Sequence, residues 1–107
     1  MIVSENYITI WELEVSPKAR AEFETIYGPD GAWAQLFRRS PGYRGTKLIH
    51  DIARPERYLT VDTWTSRDAL HNFKQQYAAE YAALDRQCEA LTQRESLVGE
   101  FSVFPQE

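Results

Sequence analysis

Two stretches of this chain alternate with a period of two residues, and both are apolar on both faces. Tyr7 to Val15 places Tyr7, Thr9, Trp11, Leu13 and Val15 on one side. Ile8, Ile10, Glu12 and Glu14 fall on the other, which turns acidic toward its end. Arg57 to Thr65 places Tyr58, Thr60, Asp62 and Trp64 on one side and Leu59, Val61 and Thr63 on the other. Such alternation predicts strands, and a strand with two apolar faces needs cover above and below its sheet. The 107 residues hold material for one core, so 1–107 reads as a single domain. One face is then covered by the chain's own helices, and the other requires a second molecule.

The remaining segments supply those helices. Ser16-Pro17 offers an N-cap and a first-turn proline. Ala19, Phe23, Ile26 and Tyr27 recur at helical spacing until Gly28-Pro29, where a left-handed glycine and a proline stop the helix. Asp30 is placed to cap a short extra helix striped by Trp33, Leu36 and Phe37, with Arg38 and Arg39 in its last turn and Pro41-Gly42 beyond it. Tyr43 to Ile52 alternates weakly as a second strand. The turn at Ala53-Arg54-Pro55-Glu56 joins it to the third as an antiparallel hairpin. Thr65 and Ser66 are caps, with Asp68 completing a capping-box pattern. Leu70, Phe73, Tyr77, Tyr81, Leu84, Cys88 and Leu91 then step by three and four, which predicts a long helical segment; a kink, if any, falls near Tyr77, although no proline or glycine forces one. Leu97 to Phe104 closes the chain as a strand, with Gly99 at a bulge.

The order β-α-(α)-β-β-α-β, with right-handed crossovers, predicts an α+β ferredoxin-like βαββαβ sandwich. It has an antiparallel four-stranded sheet and an extra short helix after the first. The uncovered face would carry either Ile8, Ile10, Leu59 and Val61, or Tyr7, Trp11, Leu13, Tyr58 and Trp64. Either set is a large apolar patch for a monomer, and a two-fold homodimer through it is the simplest cover.

Composition narrows the partners. Twelve Lys+Arg stand against sixteen Asp+Glu, a formal net charge of -4, which argues against a nucleic-acid partner. No apolar run approaches the ~18 residues of a membrane span. Residues 1–6 show no basic segment leading into an apolar one, so a cytoplasmic location without membrane contact is expected. Cys88 is the only cysteine, which excludes an internal disulfide and a cysteine-rich zinc site; on the helix stripe it reads as core. Aromatic residues make up 13% of the chain, and that much ring area points to burial against a partner or around a ligand.

Four runs carry a resemblance to a known family. They are Tyr27-Gly28-Pro29-Asp30-Gly31-Ala32-Trp33; Phe37 through Pro41-Gly42-Tyr43 to Thr46; Tyr58 through Trp64 to Ser66; and Tyr77 to Tyr81. Together they resemble the antibiotic biosynthesis monooxygenase (ABM) family, and the likeness covers nearly the whole chain. The Pro41-Gly42-Tyr43 turn into the second strand, and Trp64 followed by Thr65-Ser66 and a helix, are its most telling pieces. The resemblance implies a dimeric α/β barrel. It leaves the reaction open, because the family holds quinone-forming monooxygenases, haem-degrading enzymes, aldehyde-handling proteins and many members of unknown role; a non-catalytic dimeric ligand-binding or stress-related protein on the same fold is the alternative.

No dinucleotide fingerprint, phosphate loop or nucleophile elbow occurs in the sequence, and His50 and His71 lack partners at metal-ligand spacing. No cofactor or metal is therefore expected, and any oxidation uses either a bound substrate that reacts with oxygen itself or a cofactor recruited without a sequence fingerprint; the oxygenase reading takes the first. That chemistry needs an aromatic slot, a base and donors for a developing oxyanion. The resemblance places such a pocket between sheet and helices and carries Trp64 over as its strand-three tryptophan. It also carries over Asn6, just before strand one, where haem-degrading relatives place an asparagine. His71 is a candidate base or ligand. Haem-degrading relatives set their ligand histidine further along, near Lys74 here, which weighs against haem. Asp62 is a mid-strand carboxylate whose burial would demand a partner, an arginine in the ordinary case, and shift its pKa. Tyr58 shares the Trp64 face. Tyr43, Arg44, Tyr58, Tyr77 and Tyr81 are the candidates for contacting a small aromatic substrate.

Overall fold

The computed structural model describes residues 7–104. Its elements are β1 (Tyr7–Glu14), α1 (Arg20–Tyr27), α2 (Ala32–Phe37), β2 (Tyr43–His50), β3 (Arg57–Trp64), α3 (Arg67–Gln76), α4 (Ala78–Cys88) and β4 (Arg94–Ser102). The strands form one antiparallel sheet in the order β2-β3-β1-β4. This is the ferredoxin-like α+β arrangement with the extra short helix. Within the chain the sheet is open and does not close into a barrel.

Strand register decides which face the helices cover. β1 pairs with β3 through Tyr7↔Trp64, Thr9↔Asp62, Trp11↔Thr60 and Leu13↔Tyr58, and directly opposed residues share a face. Tyr7, Thr9, Leu13, Tyr58, Thr60, Asp62 and Trp64 are all buried, so this is the helix side. Ile8, Ile10, Leu59 and Val61 lie on the other side, flanked by Ile49 of β2 and Phe101 of β4, which remain 47% and 44% exposed. That side ends at Arg57, whose guanidinium bridges Glu12 at 2.6 Å and Asp51 at 3.0 Å. The register of β1 on β4 shifts between Ile10 and Trp11, opposite Gly99 and Leu97, so the bulge falls where Gly99 predicted it.

Over the helix side, α1 buries Phe23 and Tyr27, α2 buries Trp33, Leu36 and Phe37, and α3 buries Leu70 and Phe73. The side chain of Ser66 caps α3 by accepting from the Ala69 N–H at 3.0 Å. The long helical segment breaks at Tyr77 (φ -113°, ψ 33°), and α4 restarts on the alanine pair that follows. At the break the Tyr77 ring lies 5.3 Å from Phe73 and under the Arg39 guanidinium at 5.7 Å, contacts that reward leaving the helical path without proline or glycine. Several local expectations are corrected. Gly28 is extended (φ -72°, ψ 177°), not left-handed; a Cβ there would stand 2.7 Å from the Glu24 carbonyl oxygen, so close approach is what requires glycine. Gly31, not Asp30, is the N-cap of α2, and Asp30 instead pairs with Arg38 at 2.9 Å. Ser16 makes no side-chain cap; a short 3-10 turn at Pro17–Ala19 precedes α1.

Candidate functional site

The helices do not fill the space above the sheet. Two adjoining cavity lobes on the helix side take in the residues singled out above, and a third hollow of about 260 Å³ lies beyond Tyr27, Asp85 and Glu95. Lobe one, about 200 Å³, lies among Trp11, Tyr27, Trp33, Phe37, Tyr81 and the carboxylates Asp62, Asp85 and Glu95, with Leu13, Thr46 and Thr60 completing it. Lobe two, about 160 Å³, reaches toward β4 and α3 and takes in Tyr7, Trp64, Leu70, His71, Lys74 and Glu100. Trp11, Phe37, Asp62 and Tyr81 line both lobes and so stand at their boundary.

Asp62 is the buried carboxylate of this space. It sits two residues from the end of β3, on the helix side, and is 8% exposed. Burial raises its pKa from 3.8 to about 6, while the hydrogen bond from Thr46 pulls the other way. No cation pairs with it among the described residues, so the arginine partner that a buried carboxylate ordinarily takes is replaced by a hydroxyl. Thr46 is its cross-strand neighbour in the β2–β3 register and donates from Oγ1 to Asp62 Oδ1 at 2.5 Å. That uses the only hydroxyl hydrogen of Thr46, so the 2.5 Å contact between Tyr43 and Thr46 is donated by the Tyr43 hydroxyl. A chain of hydrogen bonds thus runs from half-buried Tyr43 through Thr46 to Asp62. Burial raises the pKa of Tyr43 and keeps it a donor.

Trp64 forms part of lobe two, but its indole is 1% exposed and enclosed by the rings of Phe37, Tyr43 and Phe73, at 5.5, 5.3 and 5.5 Å between centroids. It is a wall of the lobe, and its side chain holds the neighbouring rings in place. His71 is exposed at the mouth of lobe two, near Lys74, whose ammonium lies 5.4 Å from the Tyr81 ring centroid. On the far side Tyr7 donates to Glu100 at 2.7 Å, and Glu100 also pairs with Arg67 at 3.1 Å.

Of the residues singled out from sequence, Asp62, Tyr81, Trp64 and His71 come together around these lobes, and Tyr43 joins through Thr46. Three do not. The buried Tyr58 lies at the other end of β3, its hydroxyl donating to Glu24 and its ring stacked 4.2 Å from His50. Tyr77 packs at the helix break, outside both lobes. Arg44 is exposed and donates to the carbonyls of Pro41 and Tyr43 at 3.0 and 3.2 Å. Asn6 lies outside the described residues.

Sequence reasoning missed Thr46, Trp11, Trp33, Asp85 and Glu95 as site residues. Thr46 was within reach, because the hairpin register opposes it to Asp62. The others come from elements far apart in the chain, and only tertiary packing brings them together. Among the described residues no cluster of three His, Cys, Asp or Glu side chains is placed to hold a metal ion, and no helix is long and apolar enough to cross a membrane.

Comparison with known proteins adds the following. The family model for antibiotic biosynthesis monooxygenase matches residues 6–83. A search of curated proteins finds no significant match. Among solved structures, SnoaB, a cofactor-independent oxygenase from Streptomyces nogalater, superposes with a TM-score of 0.68 at 23% identity, over 96% of this chain and 97% of that one. PA3566 from Pseudomonas aeruginosa superposes with a TM-score of 0.69 at 17% identity, over 98% and 100%. A mutant of MhuD with two manganese protoporphyrin IX bound per active site gives 0.68 at 25% identity, over 94% and 97%.

Proposed function

Because the chain belongs to the antibiotic biosynthesis monooxygenase family, we propose that it is a cofactor-independent monooxygenase acting on a hydroxylated aromatic small molecule of the anthrone or hydroquinone kind. The observation that carries this reading is Asp62, a buried carboxylate without a cation, at the boundary of two aromatic lobes. In this reading residues 1–107 work as one unit.

The ring system lies at the boundary, between Trp11, Phe37 and Tyr81, with its hydroxyl toward Asp62. Asp62, ionised above about pH 6, takes the proton from that hydroxyl. In the anthrone case that hydroxyl belongs to the enol form; the electron-rich anion passes an electron to oxygen, and oxygen then bonds to the opposite ring carbon, which carries one hydrogen in this form. One oxygen atom stays on that carbon as a carbonyl. The other leaves as water with two hydrogens, the one on that carbon and the proton that Asp62 took and gives back, so atoms and electrons balance without a further reductant. Thr46 and Tyr43 hold the carboxylate in place while it takes the proton and gives it back. His71 at the mouth of lobe two is the second group able to move a proton.

Oxygen-uptake assays with a panel of hydroquinones and anthrones test this. Uptake is expected with at least one member and is expected to be lost in Asp62→Asn. No uptake across the panel, alongside measurable binding, replaces the oxygenase with a non-catalytic ligand-binding protein on the same fold.

We also propose a homodimer through the side of the sheet that bears Ile8, Ile10, Leu59, Val61 and Phe101, where apolar side chains remain exposed. Sedimentation is expected to give a dimer at micromolar concentration and a monomer for Val61→Glu. A wild-type monomer overturns the proposal.

Haem fits these residues poorly. Haem iron takes His, Cys, Met or Tyr, and the helix position where the family resemblance puts the ligand is Lys74. Lobe one also presents Asp62, Asp85 and Glu95, which oppose porphyrin carboxylates. Titration with haemin is expected to give no Soret shift that depends on His71.

A further inference from the structure

The two lobes differ in charge. Lobe one is lined by three carboxylates, Asp62, Asp85 and Glu95, and by no Lys, Arg or His. Lobe two includes His71 and Lys74. Asp85 and Glu95 form no ion pair among the described residues. Neighbouring Arg94 is directed to Glu14 at 3.8 Å. Burial and the nearby Asp85 carboxylate both hold the Glu95 carboxyl above its ordinary pKa, so the two acids repel one another across the lobe.

Carboxylates alone do not make a site, but the rest of the lining is unusual. Five aromatic rings surround them: Trp11, Tyr27, Trp33, Phe37 and Tyr81. Ring faces attract cations and do nothing for anions. An independent feature also points to a ligand. Trp33 is 9% exposed, and its buried indole N–H, though beside the Tyr27 hydroxyl and the Cys88 thiol, makes no well-formed hydrogen bond to either. A buried donor in this state calls for an acceptor atom, such as an oxygen of a bound molecule.

We infer that lobe one receives the cationic amine of a hydroxylated aromatic amine. The ring occupies the boundary between the lobes, and the ammonium lies at the Asp85–Glu95 end among the rings of Tyr27, Trp33 and Tyr81. An oxygen on the linking carbons reaches the Trp33 indole N–H. The orientation of the ring hydroxyl toward Asp62 rests on the oxygenase reading; the preference for positive charge does not.

Three probes share one phenolic skeleton and differ in one terminal group: octopamine (ammonium), hydroxyphenylglycol (alcohol) and hydroxymandelate (carboxylate). Isothermal titration calorimetry with the intact chain at low salt is expected to rank them in that order. Octopamine should bind roughly tenfold or more tightly than hydroxymandelate, as two carboxylates near a partly wet cavity would give, and the gap should narrow with added salt. In the double variant Asp85→Asn, Glu95→Gln it should fall to within about twofold. Neither carboxylate forms an ion pair among the described residues and the two repel one another, so their conversion to amides is expected to leave the fold intact. Hydroxymandelate binding as tightly as octopamine, octopamine failing to bind at millimolar concentration, or a gap unchanged in the double variant each overturns the inference. The oxygenase reading fails separately, in the oxygen electrode.

Discussion

The helix-facing side of β3 carries Tyr58 toward one end and Asp62 toward the other, four residues apart, and their fates differ. At the Tyr58 end packing is complete. The ring lies 4.8 Å from Phe23 and 4.2 Å from His50, and its hydroxyl reaches out to Glu24. At the Asp62 end a buried carboxylate is met by one threonine hydroxyl and faces two lobes. Tyr58 pairs its polar atom with a charge at the surface, whereas Asp62 keeps a charge inside without a counter-charge, at a cost to folding. A strand that pays this cost at one end only has separated a structural end from a chemical one.

The sharpest way to break the contrast is Asp62→Asn. If Asp62 is the base, turnover falls by about 10²–10⁴. Stability should move the other way. The folded carboxyl keeps its proton up to about pH 6, against an ordinary value of 3.8. Between those values the folded state binds more protons than the unfolded state, so stability declines as pH rises through the window and stays lower above it. Removing the ionisable group is therefore expected to stabilise the chain at pH 7 by about 1–3 kcal/mol and to change nothing below pH 4. Denaturant melts at pH 4 and pH 7 check this. Turnover of the wild type should rise with pH through about 6. A variant that is both active and unstabilised would make Asp62 ordinary.

Large-to-small substitutions at the two ends should also differ. Phe23 is fully buried, stacked 4.4 Å from Tyr27 and tilted against Tyr58, and Phe23→Ala is expected to cost about 3–5 kcal/mol. Trp11, half-buried beside the lobes, already borders open space. Trp11→Ala should cost about 1–2 kcal/mol in stability, while weakening binding of any aromatic ligand. Equal losses of stability at both positions would mean that the lobes are not cavities in solution.

How much of this was legible in the sequence follows from range. Alternation in β1 and β3 is local, and it assigned Tyr58, Asp62 and Trp64 to one face. It could not say which face the helices cover, because both were apolar; the register to β2 and β4 and the burial of Thr9 and Thr60 decide that. Asp62 stood out because a mid-strand carboxylate is costly to bury. Its partner was misjudged, since an arginine is the common answer and a threonine across the hairpin is the one used. Trp64 matched a family position, but its enclosure by three rings depends on α2, β2 and α3 meeting above it. The break at Tyr77 escaped periodicity because steps of three and four continue straight through it. Asp85 and Glu95 lie on different elements, and no local pattern links them.

The smallest expected effect is the most discriminating control. Tyr58→Phe removes one hydroxyl and keeps the ring against Phe23 and His50. Burial and the Glu24 carboxylate push the Tyr58 pKa up to about 12, so the group is neutral wherever the protein is assayed and adds no pH dependence there. Its hydroxyl lines neither lobe. The variant should lose about 0.5–1.5 kcal/mol, the ordinary worth of one hydrogen bond, and should bind ligands and consume oxygen as the wild type does. A loss of turnover beyond that of a modestly destabilised chain, with its melting transition well above the assay temperature, would show that Tyr58 communicates with Asp62 along β3. The filled end would then be part of the chemistry rather than its foundation.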